Sequence, residues 1–270
     1  MIHKSLQECG YKIPDSPDQV SLAIVTVTRH RRDDLREQSI RLSKQIGHRD
    51  HWIVVRDCDE HNDGEEIGCF LPPHKTLEVS LEYERRLDGS VNMARHAGCS
   101  MAFRNQWIIE VDDHDWIEPG CLDAVRQAIC QGAGFIYGDC LYFDEAGNQT
   151  DTYIKADYSP YLLRDGGCPC EGVRAFPKLA YELVGGYRWH GERNTVGGNE
   201  FPGGDYGLFM RIEQLYEGTG FVRVPKTLCR CVKGPSGITG KYYDEQASMA
   251  EKLRTEAGAG RLASWPKING

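Results

Sequence analysis

Along the first half of the chain, short apolar runs alternate with longer stretches whose apolar positions recur at helical spacing. Leu22-Ala23-Ile24-Val25-Thr26-Val27-Thr28 is almost unbroken in apolar and β-branched residues, the pattern of a strand covered on both faces. Asp33 or Asp34 is placed to N-cap the next helix, Leu35, Leu42 and Ile46 share its apolar face, and Gly47 stops it. Trp52-Ile53-Val54-Val55 predicts a second buried strand that ends in Arg56-Asp57, and 58–76 reads as loop. Ser90 opens a helix whose buried face is expected to hold Val91, Ala94, Gly98, Met101 and Ala102. Trp107-Ile108-Ile109-Glu110-Val111 is a third strand and runs straight into Asp112-Asp113-His114-Asp115. Pro119 suits the first turn of a helix carrying Leu122, Val125 and Ile129. Residues 135–137 and 141–143 read as strand, with 145–148 as a hairpin turn.

Strand and helix alternating over 21–130 predict an α/β fold with a mostly parallel central sheet and helices on both faces. The second half is richer in glycine and aromatic residues. It predicts helices at 177–184 and 205–217, a strand near 221–225 and a last helix near 243–257. The whole reads as a single domain, with an irregular lead-in over 1–20, halves at 21–140 and 141–240, and a C-terminal helix and tail at 241–270.

Composition narrows the class. The chain has 270 residues, 32 basic and 40 acidic side chains, and a net charge of −8. Hydrophobic and charged fractions of 40% and 27% are those of a globular protein rather than a disordered one. No apolar run approaches the roughly 20 residues of a membrane span, and the start lacks the apolar core of a secretory signal, so a cytoplasmic protein is expected. Net acidity argues against a broad nucleic-acid surface while leaving room for a local basic patch. The cysteines number 11, an odd count, and without an export signal they are expected as reduced thiols. Cys168/Cys170 and Cys229/Cys231 would together offer zinc four thiolates. The single-residue spacing is tighter than usual for zinc, and strand cysteines also pack as small hydrophobes.

Ligands of open α/β sheets bind at the carboxyl ends of the strands. Asp57 ends the second strand, the Asp112–Asp115 cluster ends the third, and Asp205 opens a later helix after Gly203-Gly204. Unpaired carboxylates are costly to bury; a divalent cation carrying phosphate oxygens would explain them, as would solvent exposure in a loop.

In this respect the sequence resembles the family 2 glycosyltransferases and their relatives with the GT-A fold, over about 21–235. The strand and loop Ile24-Val25-Thr26-Val27-Thr28-Arg29-His30 come first. Ile53-Val54-Val55-Arg56-Asp57 resembles the strand end whose aspartate touches the nucleobase. Asn92-Met93-Ala94-Arg95-His96-Ala97-Gly98 resembles the following helix motif, and Trp107 to Trp116 the metal motif. Val184-Gly185-Gly186-Tyr187, then Gly204-Asp205-Tyr206-Gly207-Leu208-Phe209-Met210-Arg211, complete the series in the family's order.

The resemblance implies a Rossmann-like nucleotide-sugar transferase with its donor half at 21–140 and its acceptor half at 141–240. Asp112 and His114 take the metal-ligand positions. Thr26, Thr28, Asp57, Arg95, Asp112, Asp113 and Lys233 face the nucleotide sugar, the two threonines serving otherwise as strand packing. Arg188 and Trp189 fall on the acceptor side. Asp205 takes the catalytic carboxylate position, which in inverting members removes the acceptor proton during direct displacement.

Two departures stand out. A histidine replaces the second metal aspartate, as in the DxH motif of polypeptide N-acetylgalactosaminyltransferases, which retain configuration. Imidazole favours Mn²⁺ over Mg²⁺. The histidine common after Val224-Pro225 is missing, and Arg230 or Lys233 would hold phosphate instead. The implied donor is UDP-linked, and the acceptor is not identified. The rival readings are nucleotidyl transfer on a related sheet, disfavoured because 26–34 lack glycine, and a silent nucleotide- or sugar-binding module.

Overall fold

In the computed structural model, residues 4–28, 32–58, 75–82, 91–144, 146–165, 170–187, 195–196, 199–200, 204–232, 248, 251 and 253–255 are described. The lead-in is more ordered than its sequence suggests. It forms a short helix α1 (Lys4–Glu8) and a 3₁₀ turn at Pro17–Gln19. Leu6 is fully buried and Tyr11 Oη accepts the Trp107 indole N–H at 2.6 Å.

β1 (Leu22–Thr28), α2 (Arg32–Ser43) and β2 (His51–Cys58) follow. α2 begins at Arg32, so Asp33 and Asp34 lie inside its first turn rather than capping it, where they still favour the helix dipole. β3 (Thr76–Glu82) is a strand that the polar sequence before it conceals. α3 (Val91–Met101), β4 (Trp107–Glu110), β5 (Asp115–Ile117) and α4 (Cys121–Cys130) come next. α4 starts two residues beyond Pro119, after Gly120 in a left-handed conformation. β6 (Phe135–Phe143) and β7 (Gln149–Tyr153) form the expected hairpin, in which the Asp144 carboxylate accepts the Asn148 backbone N–H.

The second half supplies α5 (Leu162–Asp165), β8 (Arg174–Pro177), α6 (Lys178–Leu183), the paired β9 (Thr195–Val196) and β10 (Asn199–Glu200), α7 (Gly204–Leu215) and β11 (Phe221–Val232). β11 runs well past the strand expected near 221–225. The helix expected over 243–257 falls mostly outside the described residues.

One nine-stranded sheet joins both halves in the order β3-β2-β1-β4-β8-β6-β11-β5, with β7 on β6. β3, β2, β1 and β4 are parallel, as are β6 and β11. β8 is antiparallel to both β4 and β6, so these two groups point the same way. The sheet is therefore mostly parallel, as the alternation of elements predicts, and its two faces sort the side chains by pleat. Ala23, Val25, Ile108 and Phe176 enter one core, and Leu22, Ile24, Ile109 and Ala175 enter the other. Among the described residues no helix is long and apolar enough to cross a membrane.

α3 lies tight on β1 and β2. A Cβ at Gly98 would come 2.6 Å from Val25 Cγ1 and 2.9 Å from Val55 Cγ2, so only glycine permits this approach. The buried side chains of α3 are Asn92, Ala94, Arg95, Gly98 and Cys99. Met101, expected inside, is 44% exposed, whereas Arg95 is 9% exposed.

Candidate active site

The parallel strands end at a turn that carries the acidic cluster. Past β4, the Val111 N–H still bonds the Val25 carbonyl at 3.1 Å, and the Asp115 N–H then closes back on the Asp112 carbonyl at 3.0 Å. The chain next crosses to the far edge of the sheet, where β5 pairs with β11 in the register Asp115 to Cys231 and Ile117 to Cys229. The side chains alternate across this turn. Asp112 and His114 are 31% and 35% exposed, while Asp113 and Asp115 are 11% and 6% exposed.

The turn is held by a ladder of opposite charges. Arg95 Nη2 reaches Asp112 Oδ1 at 2.6 Å, and Arg95 Nη1 reaches Asp205 Oδ2 at 3.5 Å. Arg174 Nη2 lies 3.5 Å from Glu110 Oε2 and 3.8 Å from Asp112 Oδ1. The Tyr187 hydroxyl donates to Glu110 Oε1 at 2.6 Å. Three carboxylates thus face two guanidiniums, leaving the ladder one negative charge in excess.

Burial alone would raise the Asp112 carboxyl, but Arg95 and Arg174 hold it well below the usual carboxylate range. Burial works against the Arg95 charge, yet Asp112 and Asp205 keep it firmly on. For His114, burial opposes protonation, but the 3.0 Å hydrogen bond to Asp113 and the carboxylates of Asp115 and Asp112 raise it to about 9. Asp115 is pushed up to about 7, first by burial and then by Asp112.

Asp205 arrives from the other half of the chain. Its carboxylate accepts the Tyr206 N–H at 2.7 Å in the first turn of α7. The preceding residue makes this possible, because a Cβ at Gly204 would overlap the Asn92 amide on α3. Glycine lets the two helices meet, and that contact sets Asp205 against Arg95.

The expected site residues divide. Arg95, Asp112, Asp113, His114 and Asp205 come together at the carboxyl ends of the strands. Thr28 stands at the end of β1, where its buried hydroxyl has no hydrogen-bond partner among the described residues. Thr26 is fully buried and its hydroxyl accepts the Trp52 indole N–H at 3.1 Å, an interior packing role. Asp57 lies near the end of β2, paired in register with Leu81. Arg188, Trp189 and Lys233 lie outside the described residues. Arg230, the other phosphate candidate, pairs instead with Glu118.

The sequence reading missed Arg174 and Tyr187 as members of the ladder. β8 is four residues long, too short for its alternation to register, and it becomes a strand because β4 and β6 flank it.

Asp112 offers a carboxylate oxygen and His114, once a cation displaces its proton, an imidazole nitrogen, from alternate residues on the solvent side. This donor set fits a divalent cation that completes its shell with phosphate oxygens and water. Among the described residues, three metal-donor side chains within 4.8 Å of one another occur elsewhere, at Cys140, Cys229 and Cys231.

The fold is shared with solved glycosyltransferases. S. aureus TarS 1-349 in complex with UDP-GlcNAc superposes with a TM-score of 0.58 at 12% identity, over 93% of this chain and 75% of that one. Mannosyltransferase PcManGT from Pyrobaculum calidifontis, in complex with GDP-Man and Mn²⁺, gives 0.55 at 11%, over 93% and 67%. GalNAc-T7 with UDP, GalNAc and Mn²⁺ gives 0.54 at 13%, over 93% and 52%. At these identities the likeness is one of fold. No family model and no curated protein matches the chain.

Proposed function

We propose that this chain transfers a sugar from a nucleotide-sugar donor to an acceptor hydroxyl. The observation that carries the reading is the Arg95 bridge. It brings Asp112, from the turn after β4, and Asp205, from the first turn of α7, to one spot at the carboxyl ends of the parallel strands. The fold supports it, since the neighbours include structures bound to UDP-GlcNAc, UDP and GDP-Man.

In this reading Asp112 and His114 hold Mn²⁺, with Mg²⁺ as a substitute. When bound, the cation neutralises charge on the departing diphosphate as a Lewis acid. Arg95 and Arg174 set the orientation of Asp112, and Asp113 orients the His114 ring through Nδ1. Thr28, Asp57 and Lys233 face the nucleotide, with UDP as the expected carrier, and Arg188 and Trp189 face the acceptor.

Asp205 removes the proton from the acceptor hydroxyl. The acceptor oxygen bonds to the anomeric carbon as the carbon–oxygen bond to the diphosphate breaks, and that electron pair leaves with the nucleoside diphosphate. Direct displacement of this kind inverts the anomeric centre.

The test is release of nucleoside diphosphate from a panel of UDP- and GDP-sugars, with and without Mn²⁺. Slow, Mn²⁺-stimulated release that Asp205→Asn abolishes, with nucleotide binding intact, supports the reading. Nucleotide binding with no turnover on any donor would make the protein a binding module instead. Full activity in Asp205→Asn would remove the base assignment.

A further inference from the structure

Behind the acidic turn, three thiols converge on one face of the sheet. Cys140 on β6 stands opposite Cys229 on β11 in register, and Cys231 follows two residues on, on the same face. Cys140 Sγ is 3.3 Å from Cys229 Sγ, which is 3.5 Å from Cys231 Sγ. All three residues are buried and all are free thiols. The arrangement differs from the set suggested by the CxC pairs. Cys170 packs into the opposite core, Cys168 lies outside the described residues, and Cys140 takes a place no sequence spacing announces.

We propose that Cys140, Cys229 and Cys231 bind a zinc ion that ties β6 to β11. Three features point to a ligand rather than to three packed hydrophobes. The first is distance. A tetrahedral zinc with bonds of about 2.3 Å spaces its sulfurs by roughly 3.8 Å, so these three need to open by only a few tenths of an ångström.

The second is the backbone facing them. Gly172 sits at φ +71°, and a Cβ there would overlap Cys229 Sγ and stand 2.8 Å from Cys140 Sγ and 3.2 Å from Cys231 Sγ. A bare residue in a left-handed conformation thus leaves the space over all three sulfurs unfilled by side chain.

The third is charge. Lys155 is 2% exposed, and its ammonium bonds the Glu171 carbonyl, which the Cys140 thiol also faces at 3.7 Å. A buried cation is costly without a negative partner. Three thiolates around Zn²⁺ carry one net negative charge, and Lys155 balances it. The fourth position falls to a water molecule, because no other metal-donor side chain among the described residues lies within 4.8 Å of all three sulfurs. Soft thiolates select zinc over manganese, so this centre and the pair at Asp112 and His114 would take different metals. The proposal is independent of the transferase reading.

The full chain, purified through metal-free buffer, should retain stoichiometric zinc by mass spectrometry. Exchange with Co²⁺ should give a thiolate charge-transfer band in the near ultraviolet together with tetrahedral ligand-field bands. Cys140→Ser and Cys231→Ser should lose both signals and Asp112→Asn should keep both. If the serine variants do not fold, the wild-type cobalt spectrum decides alone. Folded wild-type protein with no such band, copper in place of zinc, or a Cys140–Cys229 disulfide in a non-reducing peptide map would each overturn the proposal.

Discussion

Arg95 Nη2 lies 2.6 Å from Asp112 Oδ1, and this pair locks helix α3 to the turn at the end of β4. The same guanidinium faces Asp205, so its removal takes this partner from Asp205 and leaves Asp112 with Arg174 alone. Breaking a buried pair by deleting one partner costs about 3–5 kcal/mol. Asp112 keeps some solvent, so Arg95→Met should lie near the low end, about 3 kcal/mol by urea denaturation. Adding Asp112→Asn should restore part of that loss. Strictly additive costs would show that the two side chains are not coupled.

The contact between Gly204 and Asn92 makes a second expectation. An alanine at 204 meets the Asn92 amide and forces α7 away from α3. Overpacking of this kind costs roughly 1–3 kcal/mol. Gly204→Ala should also lower kcat by displacing Asp205, with less effect on nucleotide affinity. Asn92→Ala in the same chain should recover much of the stability. No recovery would place the strain elsewhere.

Glu213 gives a pH dependence. It is fully buried on α7, and its carboxylate accepts the Tyr158 hydroxyl and the N–H groups of Leu163 and Arg164. Burial raises its pKa, and these hydrogen bonds offset that only in part. The folded state therefore holds this proton more tightly than the unfolded state. Its contribution is fully present below the unfolded carboxyl pKa and is lost as pH rises through the folded value. Glu213→Gln should gain stability relative to wild type between pH 4 and pH 8 in paired denaturation curves. A gap that stays constant over that range would show that Glu213 does not titrate differently on folding.

What the sequence discloses here follows from where stabilisation is local. β1 and β4 announce themselves because strands buried on both faces must be apolar throughout, and the acidic turn is legible because carboxylates directly after such a strand stand out. β5 and β8 do not, since strands of three and four residues depend on partners distant in the chain. The buried face of α3 is legible in part: Ala94, Gly98 and Ala102 are inside as expected, whereas Met101 is not. Arg95 looks like a surface residue until carboxylates from the β4 turn and from α7 close around it, and Met101 is left outside. The three-thiol cluster was half legible, since Cys229 and Cys231 share a strand face, whereas Cys140 joins them only through the β6–β11 register.

The excess negative charge of the ladder bears on metal dependence. Asp112 already has Arg95 and Arg174 as partners, so a divalent cation must compete with guanidiniums for its carboxylate. A donor diphosphate that brings further oxygens favours the cation, and Mn²⁺ should bind more tightly with UDP than without it. Isothermal titration in the two conditions measures this directly. Stripping the metal by chelation should slow donor turnover by at least about a hundredfold, since a Lewis acid is worth several kcal/mol to a developing charge. His114→Ala should weaken Mn²⁺ binding in the UDP complex, and since His114 hydrogen-bonds the buried Asp113, circular dichroism of the variant checks that the fold is kept. Unchanged Mn²⁺ affinity in that variant would move the cation away from the turn, and chelator-resistant turnover would show that Arg95 and Arg174 carry the charge without it.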